Sequence, residues 1–78
     1  MFKDGKVICW QSATTRFTEE VTVEPATEGY RAVFAARHNK TGKAVRMVSA
    51  NGWSSVDALQ RLARDVGNAE FTAYVAMM

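Results

Sequence analysis

The stretch 53–67, Trp-Ser-Ser-Val-Asp-Ala-Leu-Gln-Arg-Leu-Ala-Arg-Asp-Val-Gly, most restricts what this chain can fold into. Ser54 stands where a helix N-cap belongs. Asp57, three residues on, has capping-box spacing with Asp in place of the commoner Glu. Val56, Leu59, Leu62, Ala63 and Val66 recur at helical intervals and form one apolar stripe. Gly67 follows the last of them, where a left-handed C-cap costs least. Asp57 also lies near the positive end of the helix dipole and one turn from Arg61, with which it can pair. No other segment carries so strong a helix signal. A single amphipathic helix must bury its stripe against something, so strands must supply a sheet face.

The strands can be read in order. Residues 7–10 (Val-Ile-Cys-Trp) are a short apolar run after the turn dipeptide Asp4-Gly5, which suits a first, edge strand. Residues 17–24 alternate at Phe17, Val21 and Val23; Glu19 breaks the pattern and suggests a bulge or an exposed start. Pro25 lacks the donor a ladder needs and closes that strand. Residues 30–37 and 44–50 form a hairpin around His38-Asn39-Lys40-Thr41-Gly42-Lys43. Tyr30, Ala32, Phe34 and Ala36 share one face of the first of these strands, and Arg31, Val33, Ala35 and Arg37 share the other. The faces holding Phe34 and Met47 are expected to receive the helix. Residues 71–77 alternate at Phe71, Ala73, Val75 and Met77 and read as a last strand. The expected fold class is α+β: a β-β-β-β-α-β chain with one mainly antiparallel sheet and one helix packed on one face.

Seventy-eight residues read as one domain, 1–78, which buries only about 60% of its unfolded surface. A single cysteine, Cys9, excludes an internal disulfide framework and a cysteine-rich zinc site. The opening Met-Phe-Lys-Asp-Gly-Lys has no apolar core of a secretory signal, and no apolar run nears the roughly 20 residues of a membrane span. The expectation is a soluble cytoplasmic protein with no membrane partner.

Catalysis is not expected. His38, the sole histidine, belongs to the hairpin turn, where it would be exposed, and a Cys9–His38 nucleophile would need an orienting group and an oxyanion site. Glu19 and Glu20 point to opposite faces, so they make no paired-acid site. No spaced cluster of ligands suggests a metal, and the glycines are scattered one per turn, so no phosphate-cradling loop or cofactor site is expected.

Binding is the better reading. One face of the sheet takes the helix and nothing is left to cover the other. That open face is expected to show Arg31, Arg37 and Arg46 around small apolar residues, a mixture enriched at protein interfaces as well as compatible with an ordinary semi-polar surface. Homodimerisation through this face, or through a strand edge, would stabilise so small a core. Charge is also uneven: residues 1–29 carry three cations against five acids, residues 30–78 seven cations against three acids. The basic hairpin, with Arg37, Lys40, Lys43 and Arg46, offers an alternative contact with nucleic acid, although no aromatic stacking platform is interleaved with it. Trp10 and Trp53 are the large anchors, Trp53 placed to staple the first helical turn and Trp10 to cover a sheet edge.

Two resemblances bear on function. Residues 30–66, strand-hairpin-strand-helix, resemble the second half of a double-stranded-RNA-binding domain. That family places lysines at the start of this helix to grip phosphates; here the start is Trp53-Ser54-Ser55-Val56-Asp57. In size and layout the whole chain resembles small proteins encoded by phages and mobile elements, including anti-CRISPR proteins. That resemblance implies a non-enzymatic inhibitor that docks on a host protein complex, such as a ribonucleoprotein, and it carries no site residues with it.

Overall fold

The computed structural model describes residues 6–78; the Asp4-Gly5 turn lies outside them. Four strands, β1 (Val7–Ala13), β2 (Phe17–Pro25), β3 (Tyr30–His38) and β4 (Ala44–Gly52), precede two helices, α1 (Ser55–Val66) and α2 (Ala69–Ala76). The strands pair antiparallel in chain order, β1-β2-β3-β4, so every connection within the sheet is a hairpin. Both helices lie on the same face. The α+β class and the antiparallel sheet agree with the sequence reading; the last element does not.

Residues 71–77 are not a strand. Phe71 and Val75 are buried and Tyr74 half-buried, an i, i+3, i+4 pattern, whereas Ala73 and Met77 of the apparent alternation are exposed. Asn68 decides the outcome locally. Its side-chain oxygen accepts from the amides of Glu70 (2.9 Å) and Phe71 (3.1 Å), which starts α2 one residue after Gly67 has ended α1. Its amide nitrogen donates to Glu19 Oε1 at 3.2 Å, fixing the start of α2 to β2. Glu19 therefore has a structural task, not a bulge.

Helix α1 forms largely as its sequence prescribes. Ser54 Oγ accepts from the Asp57 amide at 3.1 Å, and Gly67 is left-handed (φ 70°), its amide donating to the Ala63 carbonyl. Asp57 departs slightly from a capping box: its carboxylate accepts from the Trp53 amide (3.2 Å) and from Arg61 Nε (3.1 Å). Gly52 brings β4 up against this first turn. A Cβ at Gly52 would run into the Ala58 amide and sit 2.7 Å from Asp57 Oδ2, so only glycine lets the strand enter the helix this closely.

The core joins Val21, Val23, Ala32, Phe34 and Ala36 of the sheet to Ala58, Leu59, Leu62, Ala63 and Val66 of α1 and to Phe71 and Val75 of α2. Trp10, on the edge strand β1, packs its ring against Tyr74 (5.2 Å between centroids) and Phe71 (5.6 Å). β1 reaches this position through a bulge: Ile8 pairs with Thr22 and Trp10 with Val21, leaving Cys9 as the extra residue. The bulge is satisfied twice, because Tyr74 donates its hydroxyl hydrogen to the Cys9 carbonyl at 2.6 Å and Cys9 Sγ contacts the Val21 carbonyl at 3.5 Å.

Asn68→Ala removes a cap and an inter-element hydrogen bond together. It is expected to cost about 1–2 kcal/mol, lowering the thermal midpoint by roughly 4–8 °C per kcal/mol. Thr72→Ala, at an exposed position of the same helix, is expected to stay within about 0.5 kcal/mol. Thermal unfolding followed by circular dichroism checks both.

Candidate interaction surface

With both helices on one side, none of the described residues covers the opposite face of the sheet. Its composition follows from register. β2 presents Thr18, Glu20, Thr22 and Glu24, and β3 presents Arg31, Val33, Ala35 and Arg37, paired in the order Glu24↔Arg31, Thr22↔Val33, Glu20↔Ala35 and Thr18↔Arg37. Outside them β1 adds Ile8 and Gln11, and β4 adds Met47 and Ser49. Acids therefore occupy one inner strand and arginines its neighbour.

The centre of this face is apolar. Ile8 and Met47 are 59% and 60% exposed, and between them lie half-buried Val33 and Ala35. These residues floor a shallow depression of about 260 Å³, rimmed by Lys6, Glu20 and Arg37. Glu24 sits between two cations, Lys6 Nζ at 3.7 Å and Arg31 Nη1 at 3.8 Å. Both contacts are long and solvated, so each stabilises the fold by no more than about 1 kcal/mol and leaves the charges free to meet a partner. Arg37 donates from Nη1 to the Gly42 carbonyl at 3.3 Å, which turns it toward the β3–β4 hairpin.

The expected arginine trio is split. Arg31 and Arg37 share the open face, but Arg46 lies on the helix side: its guanidinium carbon is 5.8 Å from the Phe34 ring centroid, and Nη2 donates to the Asp65 carbonyl at 3.5 Å. Met47 is displaced in the opposite sense. It belongs to the open face, and Val48 takes the inward place opposite Phe34. The cause is a bulge at Val45. Arg37 pairs with Ala44 but Ala36 pairs with Arg46, so counting back from the turn without the extra residue assigns every later β4 side chain to the wrong face.

Lys40 and Lys43 are exposed on the hairpin turn, as expected, and neither ammonium has an ion-pair partner among the described residues. His38 is not the exposed turn residue the sequence suggests; it is half-buried, edge-on to Phe17 at 5.6 Å between ring centroids. Cys9 stands near Val21, four residues along β2 from Phe17, so the fold holds Cys9 and His38 roughly 13 Å apart along the strand. Trp53 is 80% exposed and staples nothing. Sequence reasoning missed Glu20, Glu24, Ile8 and Met47 as parts of the surface. Alternation along 17–24 already placed both acids on the face away from Val21 and Val23.

Among the described residues no group of three or more His, Cys, Asp or Glu is placed to hold a metal ion, and no helix is long and apolar enough to cross a membrane. No protein family model, curated protein or solved structure matches this chain.

Burial pushes the Cys9 thiol above its ordinary 9.0, with a backbone hydrogen bond pulling weakly the other way. The fold thus favours the neutral thiol. Its contribution to stability is complete below the unfolded value of 9.0 and is lost as pH rises through the higher folded value. Cys9→Ala is therefore expected to flatten the fall of unfolding free energy above pH 9.0, measured by urea denaturation across alkaline pH.

Proposed function

We propose that this chain is a non-enzymatic binding protein that works by protein–protein contact through the open face of its sheet. The observation that carries the reading is the uncovered strip of Ile8, Val33, Ala35 and Met47 bounded by Arg31 and Arg37. A central apolar patch inside a charged rim is the composition of a protein interface core, with arginine enriched beside it. Inhibition by occluding part of a larger host complex, the mode of phage-encoded anti-CRISPR proteins, is an activity that suits so small a surface-only device acting in the cytoplasm.

Met47→Glu and Arg37→Glu change exposed side chains that have no ion pair among the described residues, so the double variant should melt within about 1 kcal/mol of the parent chain. It should lose at least tenfold in recovery of partner protein when tagged chain is used to capture complexes from nuclease-treated bacterial lysate. Unchanged recovery of the same partner would remove the open face from consideration.

Nucleic-acid binding through the hairpin is a second reading, favoured by the exposed ammonium groups of Lys40 and Lys43 beside Arg37. It predicts retention of nucleic acid whose affinity falls at least tenfold between about 50 and 200 mM salt and falls further in Lys40→Ala/Lys43→Ala. Salt-insensitive or absent binding disposes of it.

A further inference from the structure

The open face is complementary to itself, and we infer that its partner is a second copy of this chain. This inference rests on the reading of the open face as the contact surface and names what covers it.

The charges lie in rows. β2 carries Glu20 and Glu24 with no cation on this face, and β3 carries Arg31 and Arg37 with no acid. Two sheets meeting face to face as equivalent copies must be related by a two-fold axis lying in the plane between them. Two simple orientations exist. An axis perpendicular to the strands lays β3 over β3 end to end, so that Arg31 of one copy meets Arg37 of the other, and lays the acids over the threonines of β2. An axis parallel to the strands, running between β2 and β3, lays β2 of each copy over β3 of the other. Glu24 then faces Arg31 of the second copy, Thr22 faces Val33, and Glu20 falls over Ala35, one side-chain step from Arg37. The two Glu24 and two Arg31 make a square of alternating sign at one end of the interface. Like charges brought together penalise the first arrangement, and opposite charges favour the second.

Size sets the strength. Four strands about 4.8 Å apart and roughly 25 Å long present close to 500 Å² per copy, about 1,000 Å² in the pair, at the lower bound for a specific interface. Strand directions in such an aligned pair differ by about 30° because both sheets twist. The dimer is therefore expected to dissociate in the micromolar range, so it must be sought at concentrations of tens to hundreds of micromolar.

The test separates complementarity from mere stickiness. Arg31→Glu/Arg37→Glu makes both inner strands acidic, and Glu20→Arg/Glu24→Arg makes both basic. Sedimentation velocity from about 5 to 500 μM should show the parent chain shifting from monomer to dimer, each charge variant remaining monomeric, and an equimolar mixture of the two variants regaining the dimer. Circular dichroism establishes that each variant is folded. Should either fail to fold, Met47→Glu takes its place and should shift dimerisation at least tenfold to higher concentration, while the thermal midpoint of the parent chain should rise with its concentration. A parent chain monomeric throughout this range overturns the inference, and so does a dimer indifferent to these substitutions. Either outcome leaves the open face to a different protein, which the lysate capture detects separately.

Discussion

The packing of Leu59, Leu62 and Phe71 against Val21 and Phe34 holds the rest of the molecule in place. These side chains are almost wholly withdrawn from water and bring three separate pieces of chain together. Each fully buried side chain of this size is worth about 1.5–3 kcal/mol relative to exposure. The hydrogen-bonded contacts depend on that seam. Tyr74 reaches the Cys9 carbonyl only because Phe71 and Val75 seat α2 on the sheet, and Asn68 reaches Glu19 only because α1 ends at Gly67 above β2. Two helices of twelve and eight residues are enough to cover one side of the sheet and no more.

Much of this arrangement was legible in the residues. Ser54, Asp57 and Gly67 are local signals whose meaning does not depend on distant contacts, and they placed α1 correctly. The alternation in 30–37 placed Ala32, Phe34 and Ala36 inward for the same reason. Residues 71–77 were ambiguous in principle: Phe71 and Val75 are four apart, which satisfies both a period of two and a helical turn, and only Asn68 and Tyr74 break the tie. Residues 44–50 were harder still. Ala-Val-Arg-Met-Val-Ser-Ala has no clean alternation, and one bulged residue, Val45, reverses the side on which Arg46 and Met47 emerge. The candidate surface was half legible in consequence: Arg31 and Arg37 were placed, Arg46 was assigned to the wrong face, and the row of acids opposite them went unweighed.

The open face differs from the covered one in kind. Of the strand arginines only Arg46 turns to the helix side, where an aromatic ring and a carbonyl oxygen hold its guanidinium. Across the sheet, Glu24 shares itself between Lys6 and Arg31 at distances near the limit of an ion pair. Loosely held charges around a small apolar floor cost little to rearrange, whereas Phe34 and its neighbours cannot move without opening the core. A packed floor beneath and weakly tied charges at the rim suit a surface that meets another protein.

The sheet is ordered β1-β2-β3-β4 and both helices follow it in the chain. Neighbour pairing keeps sequence separations short, which favours rapid folding. It also sets a sequence of events during synthesis. At roughly 5–20 residues per second, the sheet segments emerge a second or more before the last of α2 does, and through that interval Val21 and Phe34 have no cover. For that time both sides of the nascent sheet are bare, told apart by the acidic and basic rows on the face to be left open and by the apolar row of Val21, Val23 and Phe34 on the face to be closed.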